Sequence, residues 1–252
     1  MSCRTIEVLA DKQAIVERSL QLVSEKIQDA IAHQGRCTIA LAGGSTPRPL
    51  YEALAKESID WSKLHVFWGD ERYVLPDHPD SNEGMARKAW LNHVNIPASN
   101  IHPMVKTIDD PVTTAENHDQ ELKDFFQVAP QTFPSIDIIL LGMGDDGHTA
   151  SLFPNTSALD VCDQWITVGN KQTDSRITFT IPLINQANTV IFLVAGANKN
   201  TALQQVLAPA STPIDAKTVP ARFIQPQGEL WWLLDVAADG GQNYAQQSTR
   251  TP

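Results

Sequence analysis

The sequence predicts an α/β fold built on a single open, mostly parallel sheet flanked by helices. Three observations carry that expectation. The hydrophobic pattern switches between a helical period and short strand-like runs from end to end. Those runs are short and apolar, as buried strands are. Strands alternate with helices one by one rather than in blocks, which is the signature of a parallel sheet with helical crossovers.

The elements follow in order. After Asp11, an N-cap, apolar residues fall at Val16, Leu20, Val23, Ile27, Ala30 and Ile31, a helical spacing closed by Gly35. Residues 37–42 form an apolar run ending in Gly43-Gly44 and read as a buried strand. A helix follows from Pro47, then a second strand over 64–68. Asp110-Pro111 joins a cap to a first-turn proline and opens a helix carrying Ala115, Leu122, Phe125, Phe126 and Ala129. Residues 136–141 and 189–195 are the most strand-like segments of the chain. A helix over 199–207 and a strand over 230–234 complete the pattern.

The chain has 252 residues, enough for one large domain, and no linker, repeat or low-complexity block divides it. A single domain is expected over 1–238, followed by a polar tail, 239–252, expected to fray. Nineteen basic against twenty-nine acidic residues give a net charge of −10, and the cations are scattered. That excludes nucleic acid and anionic membrane surfaces as partners, while a small anion still fits a few local cations. No apolar run approaches the ~18 residues of a membrane span. No secretory signal is visible at the N-terminus, and Cys3, Cys37 and Cys162 make no C-x-x-C. A reducing, cytoplasmic setting is therefore expected, without disulfides or a metal site.

In open parallel sheets, ligands bind outside the carboxyl ends of the strands. Three unusual segments sit there. Gly43-Gly44-Ser45-Thr46-Pro47 joins a strand to a helix and offers free backbone N–H groups and two hydroxyls to an anion. It lacks the Gly-Lys-Ser/Thr of a nucleotide P-loop, and an ordinary capped turn is the competing reading. Gly69-Asp70-Glu71-Arg72 places an arginine where it either clamps a phosphate, stabilises an oxyanion, or pairs with its acidic neighbours. Gly142-Met143-Gly144-Asp145-Asp146-Gly147 matches the dinucleotide fingerprint only formally, because two carboxylates occupy the pyrophosphate position and Pro154 follows too soon for a long helix. Its continuation, His148, stands beside carboxylates in a glycine-bent loop and reads as a general base or as a capping residue. Arg176, ahead of the strand-like residues 177–180, and Lys199, opening a helix after Gly196-Ala197-Asn198, are further candidate anion ligands, or else solvated surface charges. The remaining histidines show no ligand spacing to His148. No G-x-S-x-G occurs, and Ser45 has no evident base, which removes a serine hydrolase.

Taken together, Leu41–Pro47, Trp68–Arg72 with Ser81-Asn82, Gly142–Pro154, 176–182 and Gly196-Ala197-Asn198-Lys199 resemble the 6-phosphogluconolactonase family, in family order over residues 40 to 200. The wider superfamily includes glucosamine-6-phosphate deaminases, in which the His is followed by Ile-Ala-Phe-Asn-Glu-Pro; here Thr-Ala-Ser-Leu-Phe-Pro follows, as in the lactonase branch. The resemblance implies a sugar-phosphate isomerase/deaminase-like fold and hydrolysis of 6-phospho-D-glucono-1,5-lactone to 6-phosphogluconate, the second step of the oxidative pentose phosphate pathway. It implies His148 as base on a water, Asp146 orienting the imidazole, and Arg72 serving phosphate or oxyanion. Gly43, Gly44, Ser45, Thr46, Asp70, Arg176 and Lys199 are then the substrate-binding set. An activated ester needs no metal and no cofactor. Any association with the pathway's dehydrogenases is then weak and non-covalent. A deaminase or isomerase of the superfamily and a non-catalytic sugar-phosphate sensor are the alternatives. Residues 171–175 depart from the proline-rich stretch of many relatives, which leaves Lys171 without an assigned role.

Overall fold

A computed structural model describes residues 3–172 and 174–247. The first strand, β1 (Cys3–Leu9), leads into α1 (Lys12–Gln34). The Asp11 carboxylate caps α1 by accepting from the Ala14 N–H at 2.9 Å, and Gly35 ends it in the left-handed region, its N–H donating to the Ile31 carbonyl. Ile15, Val16, Ser19, Leu22, Val23 and Ile27 form its buried face. Next come β2 (Cys37–Leu41), α2 (Arg48–Leu54), β3 (Leu64–Trp68), β4 (Asp70–Arg72) and α3 (Asn82–Ala89). Then α4 (Pro111–Phe126) begins at the Asp110 cap and first-turn proline. The second half runs β5 (Ile138–Leu141), β6 (Ile166–Lys171), β7 (Asp174–Phe179), α5 (Ile181–Asn185), β8 (Thr189–Val194), α6 (Asn200–Val206), β9 (Glu229–Asp235) and α7 (Val236–Asp239). None of the described helices is long and apolar enough to cross a membrane.

Six strands form one parallel sheet in the order β1-β9-β8-β5-β2-β3. Its central strands β2, β5 and β8 are buried at every position, because helices cover both faces. From β2 the chain winds outward to β3 on one side and to β5, β8 and β9 on the other. The reversal opens a crevice beyond the carboxyl ends of β2 and β5, where the glycine-rich segments begin.

Three features depart from the sequence reading. The sheet is not single: β4, β7 and β6 form a separate antiparallel sheet. Asp70-Glu71-Arg72 carries no apolar period, and only pairing with β7 makes it a strand. The edge strand β1 was not expected, because Arg4, Thr5 and Glu7 interrupt its apolar residues and one neighbour, β9, suffices to hold it. The tail expected to fray from residue 239 is tied down at its start. Buried Asp239 accepts from the N–H groups of Gly241, Asn243 and Tyr244, and the Tyr244 ring is buried. Residues 248–252 of that tail lie outside the described residues.

The amino end of the central sheet is pinned by Asp137, just ahead of β5. Its carboxylate accepts from the Thr38 N–H at 2.8 Å and hydroxyl at 2.7 Å on β2, from Gln34 at 2.7 Å, and from Asn188 ahead of β8 at 3.0 Å. Asp137→Ala leaves the buried Thr38 donors unpaired. Urea unfolding is expected to show a loss on the order of 3 kcal/mol with an unchanged m value; a loss under 1 kcal/mol would show the clamp to be dispensable.

Candidate active site

The loop after β2 is shaped by close packing. A Cβ on Gly43 would stand 1.8 Å from Asn82 Oδ1, so only glycine lets Asn82 lie against the backbone there. Asn82 in turn donates through Nδ2 to the Asp70 carbonyl at 2.9 Å, linking this loop to β4. Gly44 has φ +99°, a left-handed conformation that glycine alone adopts freely. The Tyr51 hydroxyl clamps the strand end, donating to the Ala42 carbonyl at 2.7 Å and accepting from its N–H at 3.0 Å. Lys12, at the start of α1, donates through Nζ to the Ser45 carbonyl at 2.7 Å. The Ser45 and Thr46 side chains face the cleft with no hydrogen-bond partner among the described residues.

Opposite this loop, the β4–β7 ladder sets Arg72 directly across from Arg176. Like charges in that relation repel. Neither guanidinium pairs with a carboxylate within 4.0 Å among the described residues. Arg72 is braced by donation from Nη1 to the Asp80 carbonyl at 2.5 Å. Arg176 is half-buried, its Nε without a partner. Burial, and then the charge of Arg72, hold its guanidinium below the ordinary value. Two unpaired arginines facing one cleft in a chain of net charge −10 make a site for an anion. Lys199 reaches the same cleft from a short turn after β8, which is fixed where the Gly196 N–H donates to both Asp235 oxygens at 3.0 and 3.1 Å. Lys171, at the end of β6, also lines it.

Between Asp70 and Arg72, the Glu71 side chain turns inward and is 3% exposed. Its carboxyl accepts from the Asn82 and Glu83 N–H groups at 2.7 Å, the Arg72 N–H at 2.8 Å and the Ser81 hydroxyl at 3.1 Å, capping α3 and fixing the Arg72 backbone. Burial pushes this carboxyl up to about 7, against the pull of those N–H donors. An unfolded glutamate titrates near ~4.3. The folded chain therefore holds this proton more tightly, and the stability it contributes is complete below about pH 4 and lost as pH rises through about 7. Glu71→Gln removes that titration. Its stability relative to the parent chain is expected to improve by roughly 3 kcal/mol between about pH 4 and pH 8. Urea unfolding at both pH values tests this, and a gap that does not change with pH would refute it.

The loop after β5 places the histidine. Gly147 turns at φ +79°, and the Gly144 N–H donates to the His148 carbonyl at 2.8 Å, folding the loop back on itself. A Cβ on Gly144 would stand 2.0 Å from His148 Nδ1, so glycine is required for the imidazole to lie where it does. Asp146 Oδ1 lies 2.5 Å from Nδ1 and accepts the His148 N–H at 3.0 Å. Burial pushes the Asp146 carboxyl up, but the His148 N–H and imidazole outweigh it and hold the group below the ordinary carboxylate value. With Nδ1–H committed to that carboxylate, the lone pair falls on Nε2, the arrangement a general base needs. The ring packs beside Phe153, with centroids 4.7 Å apart.

Every candidate catalytic or substrate-binding residue named from the sequence except Asp146 lines one cleft of about 460 Å³, and Asp146 stands behind His148. Ser151 and Asn82, to which the sequence assigned no role, line it as well. Ser151 donates its hydroxyl to Asp70 Oδ2 at 2.6 Å, orienting that carboxylate. Gly169 on β6 makes room for this, since a Cβ there would stand 2.2 Å from the Ser151 carbonyl. Among the described residues no three His, Cys, Asp or Glu side chains converge in a metal-binding group.

Residues 10–232 match the family described as glucosamine-6-phosphate isomerases/6-phosphogluconolactonase. The chain is 60% identical over 235 residues to the 6-phosphogluconolactonase of Nostoc sp., across 93% of this chain and 97% of the relative. It is 58% identical over 238 residues to that of Synechocystis sp., across 94% and 97%. The solved structure of 6-phosphogluconolactonase from Trypanosoma brucei is 30% identical and superposes with a TM-score of 0.81, covering 94% of this chain and 98% of that one. A match of this extent, on a fold that brings the matching motifs into one cleft, settles the family: the chain belongs to the glucosamine-6-phosphate isomerase/6-phosphogluconolactonase family.

Proposed function

We propose that the chain hydrolyses 6-phospho-D-glucono-1,5-lactone to 6-phosphogluconate, in the cytoplasm, as a step of the oxidative pentose phosphate pathway. The observation that carries this reading is the His148–Asp146 pair, with Nε2 free, in the same cleft as two unpaired arginines. The names of the relatives that share most of its sequence agree with it.

Nε2 of His148 takes a proton from a water, and the resulting hydroxide adds to the lactone carbonyl carbon. The tetrahedral oxyanion collapses by breaking the bond to the ring oxygen, which leaves as the C5 hydroxyl with the proton returned by the imidazolium. Asp146 holds the tautomer and offsets the imidazolium charge. The 6-phosphate sits between the Gly43–Thr46 loop and Arg176, with Lys199 as a further cation. Arg72, across the ladder from Arg176, shares the same phosphate, and Asp70, oriented by Ser151, accepts from a sugar hydroxyl.

The test is hydrolysis of freshly generated lactone, coupled to NADP⁺ reduction by 6-phosphogluconate dehydrogenase, with the spontaneous rate subtracted. A rate far above the blank is expected. A rate equal to the blank, with ammonia released from glucosamine 6-phosphate instead, would overturn the lactonase reading in favour of the other activity named for the family.

A further inference from the structure

A second cavity, of about 180 Å³, lies at the other end of the sheet from the cleft. It is lined by Arg4 on β1, Leu230 and Trp232 on β9, Val206 on α6, and Arg222 and Gln225 from the segment before β9. The register pairs Arg4 with Leu230, and Leu9 with Asp235, whose carboxylate holds the turn that carries Lys199. The two sites are thus separated by most of β9, about 16 Å at ~3.3 Å per residue.

Its charged groups are both arginines, which can only donate. Arg222 caps the end of α6, giving Nη1 to the carbonyls of Gln205, Val206 and Ala208 and Nη2 to that of Pro209. Carbonyls use its hydrogens but leave its charge uncompensated. Arg4 has a buried Nε with no partner, and neither arginine pairs with a carboxylate within 4.0 Å among the described residues. Trp232 is 2% exposed, and its indole Nε1 is likewise unpartnered. Burial, and then the charge of Arg222, hold the Arg4 guanidinium below its ordinary value. Buried donors without acceptors are rare in folded chains and call for an acceptor.

We infer that this cavity is a binding site for a small monocarboxylate with an apolar body. The carboxylate would take the Arg4 fork, under the field of Arg222, and Val206, Leu230 and the Trp232 ring would cover the apolar part. A cavity near 150 Å³ accommodates a benzene-sized molecule, which sets the size class. A phosphate is the poorer fit, because the cavity has neither the glycine-rich loop nor the hydroxyls of the cleft. The inference is independent of what the cleft hydrolyses.

The experiment titrates ¹⁵N-labelled protein with sodium benzoate and follows the Trp232 indole N–H. A saturable shift is expected, with benzamide, which lacks the charge, binding at least about tenfold more weakly. Arg4→Gln should abolish the shift while lactone hydrolysis is unchanged, and Arg4→Lys, which keeps the charge without the fork, should weaken it. No saturable shift with benzoate, an equal response to benzamide, or equally tight binding of inorganic phosphate would each overturn the assignment, whether or not the Arg4 variants fold.

Discussion

His148→Ala is expected to lower kcat for lactone hydrolysis by about 10²–10⁴ while leaving KM within a few-fold, the span that a positioned general base contributes. The ring is an exposed-edge group, its side chain 24% accessible, so its removal opens a space to the cleft and leaves the core intact. Two further readouts separate a base from a merely structural imidazole. Added imidazole should restore part of the rate in His148→Ala. Asp146→Asn should fall between parent and His148→Ala, because an amide oxygen can still accept from the His148 N–H and Nδ1–H but no longer carries the charge that offsets the imidazolium. Asp146 titrates below the ordinary carboxylate value, so any stability it contributes is present above about pH 4 and is lost as pH falls through its depressed folded value. Its ionisation therefore adds no break to the rate profile near neutrality. An unchanged kcat in a folded His148→Ala protein would remove His148 from the chemistry.

Much of this site was legible in the sequence because it sits where strands end, and strand ends are marked by abrupt changes of residue type. Gly43-Gly44 ends one apolar run, Gly144 and Gly147 bend the loop that follows another, and the structure shows what two of them allow: Asn82 against Gly43 and the His148 ring against Gly144. The parallel sheet was legible for a related reason. Strands such as β2 and β8 are buried on both faces and so read as unbroken apolar runs. Of the small antiparallel sheet only β7 was legible, from the strand-like residues 177–180, since β4 is three charged residues and β6 ends in Asn170-Lys171, and neither has a hydrophobic stripe longer than two positions. Ile166 and Val168 did alternate with polar residues, a weak strand signal ahead of Gly169. Missing that sheet also hid its consequence: sequence distance puts Arg72 and Arg176 far apart, and only the β4–β7 register makes them neighbours. The coupling of Ser151 to Asp70, across |i−j| of 81, was hidden in the same way.

That register sets up the second large effect. Arg176→Met is expected to lower kcat/KM by about 10²–10³, chiefly through KM, as two charge-assisted hydrogen bonds to a phosphate are lost at ~1.5–3 kcal/mol each. The same substitution is expected to stabilise the free protein. It relieves the repulsion across the ladder, ~0.2–1 kcal/mol, and replaces a half-buried guanidinium whose Nε has no partner by an apolar chain of similar length. A rise in Tm of about 2–4 °C would correspond to 1 kcal/mol in a chain of this size. Arg72→Met should show less of that gain, because Arg72, unlike Arg176, already has a partner in the Asp80 carbonyl, and the substitution gives up that bond. Inorganic phosphate should raise the Tm of the parent chain by binding the folded state alone, and should raise that of Arg176→Met far less. An arginine kept for the fold behaves in the opposite way: its removal lowers Tm and leaves the phosphate effect intact. Tm measurements with and without phosphate on three proteins therefore decide whether the β4–β7 ladder carries its two facing charges for the structure or for the anion between them.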